Sequence, residues 1–290
     1  MTKFQAVLIS GASSGIGKAC AMHLASRGFF VIAGVRRAED GKRLEAEAGG
    51  NLRSLPLDIT DAASIAAARD KVAEVTGEAG LKALINNAGI GVGGPVEHVT
   101  PNDWRRQFEV NVVGHVAVTQ AMLPLIRRHV AQNTKGSGRI VFIGSIAGRA
   151  TLPILGPYSA SKHAIAAVAT ALRQEVQAQG IYVCLLEPGA IQSEIWNKAE
   201  EYVETVGAED PSRILYGQHI EAMIRQTRQA SRSAIPASHV AVRVEECLTR
   251  SNPQTRRTVG KDAAVAAFFN WALPERWFYK VIARRLKIPQ

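Results

Sequence analysis

The run Gly156-Pro157-Tyr158-Ser159-Ala160-Ser161-Lys162 places a tyrosine and a lysine four residues apart. On a helix, residues at that spacing share a face about one turn apart. Pro157 suits a first helical position, where its missing N–H costs little. The Lys162 ammonium would then favour tyrosinate, lowering a phenol pKa of about 10 toward neutrality. A phenol so adjusted can exchange a proton with an alcohol or a ketone. The same Y-x-x-x-K spacing also decorates helix surfaces, so its meaning depends on what the rest of the chain brings to Tyr158.

Ala6-Val7-Leu8-Ile9-Ser10 is an apolar run leading straight into Gly11-Ala12-Ser13-Ser14-Gly15-Ile16-Gly17, followed by a helical segment to Arg27, a stop at Gly28 and a second apolar run, Phe29–Gly34. Strand, glycine turn, helix and strand in that order form a dinucleotide site, because bare backbone can approach a pyrophosphate at a helix N-terminus. Tight packing is the other use of such glycines, and the spacing is G-x-x-x-G-x-G rather than G-x-G-x-x-G. Gly11, Ser13, Ser14, Gly15, Ile16 and Gly17 are the candidate phosphate cradle. The second strand ends in Val35-Arg36-Arg37 with no carboxylate for the ribose hydroxyls. Guanidinium groups bind phosphate bidentately, so Arg36 and Arg37 favour NADP(H), with NAD(H) possible if both are solvated loop residues.

The alternation then repeats. Leu52–Asp58 reads as a third strand with Asp58-Ile59 at its tip, where adenine would lie; Ala62–Val75 as a helix; and Ala83-Leu84-Ile85 as a fourth strand ending in Asn86-Asn87-Ala88-Gly89. Gly91, Gly93 and Gly94 predict a mobile loop. Asp103–Arg128 reads as one long helix carrying Asn111 and Gly114. Gly138–Ile143 is a fifth strand that delivers Gly144-Ser145-Ile146-Ala147-Gly148, and the helix of Tyr158 runs to about Gln179. Ile181–Leu186 is a sixth strand ending in Glu187-Pro188-Gly189. Periodicity weakens over about 190–237, which predicts a helical lid; Val240–Thr249 resumes a helix and Thr258-Val259-Gly260 a short strand. Regular strand–helix alternation predicts an α/β fold, a Rossmann-type doubly wound parallel sheet with helices on both faces. Residues 1–290 read as a single dinucleotide-binding catalytic domain, the lid at about 190–237 and a basic extension at about 261–290.

Composition narrows the classes. With 47% hydrophobic residues in 290, a large core is available. No stretch approaches the roughly 18 uninterrupted apolar residues of a membrane span, and the N-terminus lacks the order of a signal peptide, so a cytoplasmic location is expected. Cys20, Cys184 and Cys247 are odd in number and widely spaced in apolar runs, which fits reduced core thiols. The seven histidines show no metal-binding spacing. Much of the net charge of +10 lies from Arg256 onward, where eight cations face only Asp262 and Glu275.

Together these motifs resemble the short-chain dehydrogenase/reductase family over roughly Lys3 to Gly260. Gly11, Gly15 and Gly17 resemble its glycine turn, Asn86–Gly89 its N-N-A-G, Asn111, Ser145, Tyr158 and Lys162 its catalytic tetrad, and Pro188-Gly189 its late cofactor loop. The resemblance implies that Tyr158 exchanges a proton with the substrate oxygen while hydride passes between carbon and nicotinamide. It further implies that Ser145 polarises that oxygen, Lys162 tunes the tyrosine and holds the nicotinamide ribose, and Asn111 supports a water leading to solvent. Asn87, Ala88, Gly89, Ile191 and Ser193 join the cofactor set on the same grounds. Ser10 and Ser193 stand where the family usually has threonine, and both keep the hydroxyl. A homodimer or homotetramer through the helices of Asn111 and Tyr158 is also implied.

Lid residues Ile191, Ile195, Trp196, Ile214, Leu215, Tyr216, Ile220, Met223 and Ile224, with Ile146, Leu152, Ile154 and Leu155, are apolar enough to form a hydrophobic pocket or simply to pack the lid. They resemble, more loosely, family members acting on steroids and retinoids, which implies a lipophilic small-molecule substrate. From Asn270 the tail mixes Trp271, Trp277, Phe278, Val281, Ile282, Leu286 and Ile288 with cations; it can fold back on its own domain, cover a subunit's pocket or make peripheral contact with a membrane. Nucleic acid is not expected, since no binding motif accompanies these residues. A catalytically inactive nucleotide sensor or membrane-surface scaffold on the same fold is the rival reading, against which the intact tetrad argues.

Overall fold

The computed structural model describes residues 5–133, 136–192 and 211–288. Strand β1 (Ala6–Ser10) lies inside a seven-stranded sheet, paired with β2 (Phe30–Val35) on one side and β4 (Ala83–Asn86) on the other. The sheet order is β3-β2-β1-β4-β5-β6-β7, with β3 (Leu52–Pro56), β5 (Gly138–Ile143), β6 (Ile181–Pro188) and β7 (Arg256–Val259), and every pair is parallel. The chain therefore reverses its direction of travel across the sheet between β1 and β4. Crevices at such a switch point hold ligands, because the flanking loops diverge there.

The strand sequences explain the parallel arrangement. β1, β4 and β5 are buried along their whole length, as expected of strands covered on both faces and therefore apolar without alternation. Alternate residues feed two cores. Val7, Ile9 and Val141 pack toward α1 (Gly15–Ser26) and the later helix Ser238–Thr249. Leu8, Leu84, Ile140 and Phe142 pack on the other face with Ile65, Val118, Met122 and Ile165 of the helices over 62–76, 114–131 and 156–176. The three cysteines are buried and free, as their spacing suggests.

Three local readings need correction. A helix over Ala38–Ala48, α2, has no counterpart in the sequence reading because its residues are mostly polar. After α3 (Ala62–Thr76), the long helix expected over 103–128 runs from Pro101 to Ala131 as α4 (Pro101–Phe108), a π-turn over Glu109–Val113, and α5 (Gly114–Ala131). By length and composition this helix could cross a membrane, yet half of the qualifying stretch is buried within the protein. The glycine loop expected to be mobile is tied down: Val92 N–H donates to Gln107 Oε1 at 2.7 Å and Gly94 N–H to the Ile154 carbonyl at 2.7 Å. Beyond α6 (Gly156–Val176), α7 (Pro211–Ser233), α8 (Ser238–Thr249) and β7, the tail is two helices, α9 (Lys261–Ala272) and α10 (Glu275–Leu286), split at Leu273-Pro274. Pro274 cannot continue α9, since proline both removes an N–H and forces the preceding residue out of helical geometry. Ser193, Ile195 and Trp196 lie outside the described residues.

One ion cluster ties the late strands to the loop after β5. Glu187 is 1% exposed and accepts from Arg149 Nη2 at 2.6 Å and from Arg256 Nη2 at 2.6 Å. Both arginines reach solvent, so removing the acid leaves them hydratable. Glu187→Gln should lower unfolding free energy in urea by on the order of 2 kcal/mol, below the ~3–5 kcal/mol of a fully buried broken pair.

Candidate active site

A cleft of about 430 Å³ opens at the switch point. Its floor is the glycine turn, Gly11, Ser13, Ser14, Gly15 and Ile16; one wall is Arg36, Leu57, Asp58, Ile59 and Thr60; the other is Asn87, Ala88, Gly89 and Ile90; and Ile143, Gly144, Tyr158 and Lys162 close the far end. Residues as far apart in sequence as Gly11 and Lys162 thus converge because β1, β4 and β5 are neighbours in the sheet.

The turn is built for close backbone approach. Gly11 and Gly15 have φ of +64° and +53°, in the left-handed region. A Cβ on Gly17 would lie 2.2 Å from the Gly11 carbonyl, so Gly17 packs beneath the cradle rather than lining it. The Asn87 side-chain amide donates to the carbonyls of Ser10 and Gly11 at 3.0 and 2.9 Å, and the Ser10 hydroxyl accepts from the N–H groups of Asn87 and Ala88 at 3.0 and 3.2 Å. Ser14 takes the N-cap position of α1 but makes no capping bond. Asp61 and Thr100, by contrast, cap α3 and α4. The first N–H groups of α1 therefore carry no side-chain cap where a phosphate group would fit.

The two arginines part company. Arg36 lines the cleft and helps hold the Asp58 carboxyl below its usual range, after the two hydrogen bonds that Asp58 accepts from Thr60. Arg37 turns to Asp40, one helical turn on, at 3.0 Å. Ile59 is buried against α5, whose Gly114 could not carry a Cβ without meeting the Ile59 carbonyl at 2.6 Å.

At the far end, Ser145 caps the short 3-10 turn Ile146–Gly148, its hydroxyl accepting from Ala147 N–H at 3.1 Å. Lys162 is buried and its Nζ donates to the Ile143 carbonyl at 3.0 Å, with the ammonium 5.7 Å from the centre of the Tyr158 ring. The expectation that Lys162 lowers the Tyr158 pKa is overturned here. Burial raises it, and the hydrogen bond with Ser145 opposes that rise without cancelling it. The lysine itself is pushed down to about 8 by burial.

Asn111 does not line the cleft. It sits fully buried in the π-turn, where Oδ1 accepts from Ile90 N–H at 2.9 Å and Nδ2 donates to the Ile90 carbonyl at 3.0 Å and Ser161 Oγ at 3.1 Å. Gln107, unnoticed in the sequence, repeats the pattern one turn earlier, donating to the Ile90 carbonyl and Ser161. His115 was also missed. Its Nε2 is 2.6 Å from the Ala88 carbonyl, and burial, followed by the nearby Lys162 charge, pushes its pKa down to about 3. The ring is therefore neutral and Nε2–H donates. No spacing rule singles out a lone histidine at this distance from Ala88. Arg106 and Glu109 join the cleft wall from α4 and the π-turn.

Pro188 ends β6 and Gly189 follows it; neither is among the residues lining the cleft. Gly189 N–H donates to the Val259 carbonyl at 2.9 Å, and the Asp262 carboxylate accepts from Ala190 N–H at 2.7 Å. Ile191 is buried in the core and bridges to Ile235. Of the apolar lid residues, Ile220 and Met223 are buried whereas Ile214 and Leu215 are exposed.

A family model described as short chain dehydrogenase matches residues 5–204. The chain belongs to the short-chain dehydrogenase family. Among its relatives, an NADPH-dependent 3-dehydrocapnine reductase of Ornithobacterium rhinotracheale is 34% identical over 97% of this chain and 96% of its own. A 17-beta-hydroxysteroid dehydrogenase type 6 of Bos taurus is 35% identical over 89% and 81%. A short-chain dehydrogenase structure from Streptomyces avermitilis superposes with a TM-score of 0.79 at 26% identity, covering 99% of this chain and 98% of that one. The parallel sheet and central switch point are thus family architecture.

The depressed lysine makes stability depend on alkaline pH. Between pH 8 and 10.5 the unfolded chain holds a proton on Lys162 that the folded chain has shed, so stability rises with pH across that window and the full burial penalty applies below it. Lys82 is also pushed down to about 8, so the Lys162→Met variant isolates the contribution. From about pH 7.5 to 9.5, urea unfolding should gain on the order of 2 kcal/mol more for the parent than for the variant.

Proposed function

We propose that the protein is an NADP(H)-dependent oxidoreductase that interconverts a carbonyl and an alcohol on a lipophilic small molecule, working as a carbonyl reductase. The observation that carries this reading is the convergence of Tyr158 and Lys162 on the same cleft as the glycine turn and Arg36. The relative named as an NADPH-dependent reductase supports the cofactor and the direction, and the hydroxysteroid dehydrogenase supports an apolar substrate.

The residues present fit a dinucleotide. The α1 N-terminus has no side-chain cap and opens on the cleft beside Gly11, Ser13 and Gly15, which suits a pyrophosphate. Arg36 supplies a guanidinium for a 2′-phosphate, and Asp58 and Ile59 flank the adenine position. When bound, the nicotinamide gives hydride to the carbonyl carbon or takes it back from the alcohol. Tyr158 donates its phenolic proton to the substrate oxygen as negative charge develops there, and Ser145 holds the same oxygen. Lys162 brings a positive charge beneath the tyrosine ring and reaches toward the ribose. Its present partner, the Ile143 carbonyl, keeps that amine oriented until then. Asn111 holds Ile90 and Ser161 and thereby the mouth of the proton exit. Pro188, Gly189, Ile191 and Ser193 complete the cofactor side, and assembly as a homodimer or homotetramer through the helices of Asn111 and Tyr158 belongs to the same reading.

Tyr158→Phe should lower kcat with NADPH and a lipophilic ketone by on the order of 10³-fold, with NADPH still protecting the protein against thermal unfolding. Unchanged turnover would overturn the assignment. Arg36→Asp should weaken NADPH by roughly tenfold or more while sparing NADH, measured by fluorescence titration. A carbonyl panel including steroids, long-chain ketones and sugars completes the test, and turnover confined to the sugars would exclude a lipophilic substrate.

A further inference from the structure

Helix α9 is inside out. The side facing the protein is small: Ala263 is buried and Ala266, Ala267 and Asn270 are half-buried. The side facing solvent carries Val265, Phe268, Phe269 and Trp271, exposed by 51%, 58%, 45% and 81%. Three of these form one external cluster, with Phe268 centred 5.6 Å from Phe269 and 6.2 Å from Trp271. Single exposed apolar residues are ordinary, whereas a contiguous aromatic patch marks a surface that meets something.

Helix α10 adds further exposed apolar residues and the charge. Its inner face, Phe278 and Leu286, is buried, and Leu286 packs with Ala222 and Met223 of α7 and with the loop carrying Leu152 and Leu155, just ahead of Tyr158. The tail thus folds back on its own domain, as one of the sequence expectations had it. Its outer face still presents Trp277 and Val281 among the exposed cations Arg276, Arg284 and Arg285, with the Lys280 ammonium 5.4 Å from the Trp277 ring centre.

The charge decides what covers this surface. A second copy of the chain would bring two sets of these cations together, and the centres of protein–protein interfaces are depleted of charge. An anionic bilayer accepts both features, the aromatic rings at headgroup depth and the cations against phosphate. We propose that α9 and the outer face of α10 seat the protein on an anionic lipid surface. Because the inner face of α10 braces the loop leading to Tyr158, seating sets the mouth of the active site beside the lipid. This extends the lipophilic-substrate reading, but binding can be read without turnover.

The full chain should sediment with vesicles of equal parts phosphatidylglycerol and phosphatidylcholine, bind pure phosphatidylcholine weakly, and be partly released by salt. The double variant Phe268→Ser/Trp271→Ser should weaken sedimentation by roughly tenfold or more. Arg276→Glu/Arg284→Glu should do so on the anionic vesicles while leaving the thermal melt unchanged, which keeps the test intact if the aromatic variant misfolds. Turnover of a water-soluble ketone should be unaltered in both, so a failure of the catalytic reading would show separately. Parent protein left in the supernatant would overturn the proposal, as would variants that sediment like the parent. So would a concentration-dependent dimer that the aromatic variant abolishes in the absence of vesicle binding.

Discussion

At the carboxyl ends of β1 and β4, the Ser10 hydroxyl accepts two backbone N–H groups while the Asn87 amide spans the carbonyls of Ser10 and Gly11. This reciprocal clasp joins the first loop of one half of the sheet to the first loop of the other at the point where their paths diverge. Backbone groups that would otherwise be left without partners at two strand ends are satisfied by each other's side chains, which fixes the width of the cleft. Gly17 can lie against the clasp only because it has no Cβ. The phosphate cradle, the position of Ala88 and hence the His115 contact all depend on that fixed distance.

The other end of the cleft is governed by the cost of burying charge. Lys162 is enclosed and donates to the Ile143 carbonyl rather than to a carboxylate. His115 responds to that neighbourhood by remaining neutral, and Tyr158 by holding its proton more tightly. The phenol therefore keeps its proton at neutral pH.

Much of the architecture was legible because buried parallel strands are apolar runs bounded by glycine turns; β1, β5 and β6 announce themselves this way. Helix α2 did not, since Glu39, Asp40, Lys42 and Arg43 leave little apolar period to find. The π-turn around Asn111 escaped because i→i+5 pairing has no local sequence signature; it exists where α4 and α5 must accommodate β3's tip and α6. Tyr158 and Lys162 were recognisable as a pair, yet the sign of the tyrosine shift was not, because burial is set by residues from β5 and the glycine loop. Gln107 and His115 lacked any motif. Their roles come from tertiary position alone.

The order of the strands also has a temporal meaning. Gly11 through Ala88, the clasp included, leaves the ribosome before any residue of β5 or α6 has been made, and synthesis proceeds at about 5–20 residues per second. Through that interval the growing chain contains the residues of the phosphate cradle but neither Tyr158 nor Lys162. The cradle residues are thus made well before Tyr158 and Lys162, so no partly made chain carries that pair without them.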